Sequence, residues 1–239
     1  MIKFKRVVDI LMTCFLIFLM SFQVVALKYH EYAGAVMFLI VIAHNILNYR
    51  WYKALFKGFY KPARIYQTAA NLLLMAVFLM TILSGFAISE NFEFLNIPSM
   101  IAVMRVMHLS CSYWTFALMG VHVGFHWGMM SAKIKINKVL ANIIVILLSG
   151  YGLFLSIRSG IFDYMFMRTL FAFLDYEKFF MLVLAEYIIM LGFFITFGFQ
   201  SMKLLNLKGR AKILPSIILL SIFIIGAVLN YFYGGAENF

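Results

Sequence analysis

Four histidines carry the first chemical clue. His30 and His44 are 14 positions apart, and so are His108 and His122. For the five histidines of a 239-residue chain placed at random, any one chosen spacing is expected roughly 0.1 times. The repeated interval is therefore a pattern. On a helix turning about 100° per residue, a step of 14 returns to within roughly 40° of the same face and advances about 21 Å. Each of two helices then shows two imidazoles on one face at two depths. An imidazole in an apolar medium is costly unless paired or ligated, and neutral imidazole is a common metal ligand. Two imidazoles approaching from opposite sides suit the axial positions of a flat iron macrocycle such as haem b, which needs no covalent attachment motif. A structural zinc ion wants four ligands close together, often with cysteine or carboxylate. Two-imidazole sets roughly 21 Å apart along the helices do not supply that.

The other candidates cluster near these four. His126 follows His122 by four residues, on the same face and about 6 Å deeper. Pairing it with His44 would stretch the second interval to 18, so the matched interval favours His122 as ligand. His126 is left to bond a haem propionate or a quinone, or to be a satisfied interior histidine. Arg105, one turn before His108, could pair with a propionate or be an interfacial arginine. Lys28, Arg50 and Lys53 offer the same choice between propionate pairing and snorkelling. Trp51, Trp114 and Trp127 could line a ring face or sit as interfacial anchors. Glu186, alone in the middle of its apolar run, is a proton-handling group or the partner of a neighbouring polar group. Small residues beside the histidines, Ala33, Gly34, Ala35, Gly120 and Gly124, could let a flat ring approach the backbone, though such residues also serve ordinary helix packing in membranes.

The elements that must position these groups are helices in a membrane. The chain is 65% hydrophobic, 18% aromatic and 12% charged, against about 45–50% apolar and 25% charged in soluble domains. Seven apolar segments stand at 7–27, 30–49, 66–89, 99–130, 139–157, 179–200 and 213–233, so the expected fold is an all-α integral membrane bundle of about seven transmembrane helices. Residues 1–131 would form a four-helix haem-binding core, and 132–239 a three-helix extension with an outer interfacial segment near 158–178. That segment mixes aromatics with Asp163, Arg168, Asp175 and Glu177, as an interfacial helix does, or as a loop packed over the bundle would.

With the N-terminus in the cytoplasm, 15 of the 20 basic residues fall on inner flanks, which satisfies the positive-inside rule and leaves the C-terminus outside. The net charge of +11 thus reads as topology; no aromatic-basic patch supports nucleic-acid binding. Lys3, Lys5 and Arg6 precede an apolar run too long, and too poor in a small-residue cleavage site, for a signal peptide. Cys14 and Cys111 lie inside apolar runs, and no C-x-x-C or C-x-x-C-H occurs, which excludes c-type haem attachment.

Several runs carry a likeness: ALKYHEYAG (26–34), AHNILNYRWYKALFKG (43–58), RIYQTAANLLL (64–74), MHLSCSYW (107–114) and GVHVGFHW (120–127). Over residues 5–130 the chain resembles the flavinylation-associated cytochromes, small bacterial membrane proteins with a four-helix histidine core. The resemblance implies two b-type haems ligated by His30, His44, His108 and His122. It also implies a cytoplasmic-membrane location and electron transfer to an extracytoplasmic, flavin-bearing redox partner. Two other functions stay open on the residues. One is a haem-containing quinol-linked or ferric reductase subunit, whose flavin or nucleotide chemistry would belong to a partner because no G-x-G-x-x-G occurs. The other is a haem-free transporter or structural subunit, which paired, broken helices at the midplane would favour.

Overall fold

The computed structural model describes residues 2–96, 98–131, 137–173 and 175–206. Among them the chain is all-helical, without a strand. The helices are α1 (Ile2–Met20), α2 (Leu27–Leu47), α3 (Tyr49–Ala54), α4 (Pro62–Ile88), α5 (Ile101–Ser131), α6 (Lys138–Arg158), α7 (Ile161–Met165) and α8 (Phe180–Asn206). Four of these, α2, α4, α6 from Val139 and α8, are long and apolar enough to cross a membrane, so a lipid bilayer is the fitting solvent. The helix expected at 213–233 lies outside the described residues. So do Lys133, Lys135, Lys208, Arg210, Lys212 and Glu237, on which part of the expected topology rests.

Local chemistry sets the helix ends. Pro62 opens α4, where its missing N–H is no loss. The Asn137 side chain caps α6 by accepting from the Val139 and Leu140 amides, at 2.9 and 3.4 Å. Gly160, with φ of 66°, makes the left-handed turn that separates α6 from α7.

Packing is organised around α5 and α8. A side chain on Gly120 would meet Phe194 and Leu191, and one on Gly124 would run into the Ile195 carbonyl. Gly198 is closed in the same way by the Val121 backbone. This is the small-residue seam by which membrane helices approach closely. On the far side of α8, Gly152 lets α6 come up against the Ile189 carbonyl. Phe116, Phe193, Met190 and Val183 fill the fully buried space between these helices. α4 packs along another side of α5, and α1 along α2, with little direct backbone contact between α2 and α5.

The segment 158–178 is neither a continuous helix nor fully interfacial. Its first part is the five-residue α7, buried through Ile161, Phe162, Tyr164 and Met165. The Ser110 hydroxyl and the Trp114 indole both donate to the Met165 carbonyl at 2.8 Å, and Tyr164 stacks on Tyr113. After α7 the chain leaves helical geometry and exposes Leu170, Phe171, Phe173 and Tyr176.

Candidate functional site

The histidines of α2 and α5 meet in pairs. The ring centres of His30 and His108 are 6.2 Å apart with planes crossed at 82°. Those of His44 and His122 are 6.4 Å apart at 78°. Each helix contributes one ring to each level, and the two levels lie near opposite ends of the histidine face. His126 reaches the ring of His122, 5.3 Å away, whereas the ring that faces His44 is His122.

Neighbouring elements fix how these rings stand. The Nδ1–H of His108 donates to the Thr81 carbonyl on α4 at 3.0 Å. That of His122 donates to Asn71 Oδ1, also on α4, at 2.8 Å, and that of His44 donates to Asp9 Oδ1 on α1 at 2.8 Å. A carbonyl or carboxylate oxygen only accepts, so in all three the proton sits on Nδ1 and the lone pair on Nε2. This is how a ligating histidine is usually held, its other ring nitrogen donating to a fixed acceptor. On His108 and His122, Nε2 makes no hydrogen bond among the described residues. His30 differs: its Nδ1 is buried without a hydrogen-bond partner among the described residues, and its ring lies edge-on to Phe22 at 4.9 Å.

Two anchors set the heights of the rings on α2. Beside His30, Glu31 accepts from the Ser89 hydroxyl at 2.7 Å and from the Glu90 and Asn91 amides at 2.9 Å each, which pins the start of α2 to the end of α4. Near His44, Lys5 donates to Asn48 Oδ1 at 3.1 Å, and the Asn48 amide donates to the His44 carbonyl at 2.9 Å. Asp9, Glu31, Asn71 and Thr81 were not among the sequence candidates. Asp9 carried a signal nonetheless, as the one acidic residue of the first segment, and Asn71 is a polar side chain in an apolar run.

The ring pairs could hold an iron group between two imidazoles. Two imidazoles that shared one iron, with bonds of about 2 Å and roughly 1 Å more from each nitrogen to its ring centre, would hold their centroids about 6 Å apart. Both pairs stand at that separation. Gly34, one turn along α2 from His30 on the same face, has nothing within 4 Å of the position its side chain would take. Among the described residues, no three His, Cys, Asp or Glu side chains gather into a chelating group.

Other candidates fall elsewhere. Gly120 and Gly124 face α8 rather than the histidine face; two residues along a helix is about 200°, so they lie opposite His122. Arg105 is exposed and makes no hydrogen bond or ion pair among the described residues. Lys28 and Arg50 are exposed, and Lys53 lies over the Tyr49 ring. Trp114 is committed to the Met165 carbonyl and to Phe166, and Trp51 to Tyr52. Glu186 sits in the second turn of α8, not at its middle, and is paired with Lys178 at 3.0 Å. Both cysteines are free thiols.

The chain matches no family model, no curated protein and no solved structure. Its function is therefore argued from the two imidazole pairs.

Proposed function

We propose that the protein is a dihaem b-type membrane cytochrome that carries electrons from one side of a membrane to the other. The observation that carries this reading is the pairing of His30 with His108 and of His44 with His122, at matching separations on two levels. His30 and His108 would hold one haem, and His44 and His122 the other. The haem supplies a one-electron couple at iron. The chain supplies what tunes and insulates that couple. Thr81, Asn71 and Asp9 hold three of the rings in the tautomer that offers Nε2, while the apolar helices keep water and stray protons away.

The likeness of residues 5–130 to flavinylation-associated cytochromes supports the same reading. It adds a bacterial cytoplasmic membrane and a flavin-bearing acceptor outside, and the basic flanks put the N-terminus on the cytoplasmic side. The two long helices beyond the histidine core, α6 and α8, with the one expected at 213–233, would complete a seven-span bundle. In this reading His126 neighbours the His44–His122 haem as a propionate or quinone contact.

Alanine variants test the pairing. After haem-replete expression and purification, H30A and H108A should each lower the haem-to-protein ratio from about two to about one, as should H44A and H122A. The doubles discriminate. H30A/H108A removes both ligands of a single level and should still hold one haem, whereas H30A/H44A breaks both levels and should hold none. Equal ratios for the two doubles, with helical circular dichroism retained, would contradict the pairing.

A further inference from the structure

The two levels differ in what their rings donate to. At the His44–His122 level one ring donates to a carboxylate, Asp9 at 2.8 Å. At the His30–His108 level the acceptors are neutral carbonyls, Thr81 for His108 and the Leu19 backbone beside His30. Glu31 keeps its charge and acts on His30 through space, but its oxygens accept from Ser89, Glu90 and Asn91 and from neither imidazole of that level. Nor does Lys5 neutralise Asp9; its ammonium goes to Asn48, and the ion pair of Asp9 among the described residues is with His44.

A carboxylate accepting from Nδ1–H pushes electron density onto Nε2 and gives the ring partial imidazolate character. Such a ring favours the more positive oxidation state of the metal it binds, and the anion itself adds to the effect where the surroundings screen it poorly. We infer that Asp9 is a positioning residue for His44 that makes the His44–His122 level the harder of the two to reduce. The downhill direction for an electron then runs from that level toward the His30–His108 level, beside the Ser89–Asn91 turn. This inference rests on the dihaem reading.

Potentiometric titration of the purified holoprotein separates the possibilities. The wild type should show two one-electron waves, and H108A, which keeps only the His44–His122 haem, identifies the lower one. D9N removes the charge but keeps an acceptor oxygen, so the lower wave should move up with the upper one unmoved, and D9E should restore it. In alkaline buffer N71D places a second carboxylate on the same level and should drive the lower wave further down. Two bound haems in D9N with both waves unmoved, or an unmoved lower wave in N71D, would overturn the inference while leaving the dihaem reading intact. A wild type without haem would overturn the reading beneath it.

Discussion

An acceptor on Nδ1 does two things to a histidine: it fixes the ring plane and it decides which nitrogen carries the lone pair. Thr81, Asn71 and Asp9 do this for three of the four rings. Such partners were not legible in the sequence, because they come from α1 and α4 and their register against α5 and α2 follows from packing. The histidine pairs themselves were legible, because 14 residues bring a helix back to the same face. The opposite-facing placement of Gly120 and Gly124 follows from the same rotation, so their expected position beside a ring was an error of face.

A different glycine touches the site. A side chain on Gly85 would lie 3.0 Å from His108 Cε1 and 3.2 Å from Nδ1. Val at this position should displace the His108 ring at an overpacking cost of about 1–3 kcal/mol. Purified G85V should lose the haem of the His30–His108 level and keep the other. A haem ratio unchanged from wild type would show that this contact is soft.

At the scale of helices, α5 works with two faces. One presents His108 and His122 toward α2; the other closes on α8 through Gly120, Gly124 and Gly198. The seam sets where α5 stands against α8, and with it two of the four rings. Replacing Gly198 by Val forces a side chain into the Val121 backbone, which should cost about 1–3 kcal/mol and lower Tm by several degrees. Thermal unfolding in detergent, followed by circular dichroism, checks this. An unmoved Tm would mean that the close approach of α5 and α8 contributes little to stability. Helix positions were legible from hydropathy, and α2, α4, α6 and α8 fall within the expected windows to within a few residues at most ends. The 158–178 segment was not legible, because its mixed aromatic and charged composition suits both an interfacial helix and the packed turn that α7 makes. What decides between them is tertiary: Ser110 and Trp114 capture the Met165 carbonyl.

For the molecule as a whole, composition and the apolar helices point to a membrane protein, and the proposed orientation rests on the basic flanks. That orientation predicts that the turn after α3, with Lys57, faces the cytoplasm, while the turn after α4, with Glu93, faces outward; both side chains are exposed. With Cys14 and Cys111 replaced by Ala, a membrane-impermeant thiol reagent added to intact cells should label E93C and spare K57C. The reverse pattern would invert the topology and reverse the cellular sense of the electron flow inferred from Asp9. Both levels of imidazoles stand or fall on one number, the haem content of the native chain. Purified after haem-replete expression and assayed by pyridine haemochrome against quantitative amino-acid analysis, the protein should contain two b-type haems per chain, each low-spin with two imidazole ligands. A preparation with intact helical structure and no Soret absorbance would contradict the account.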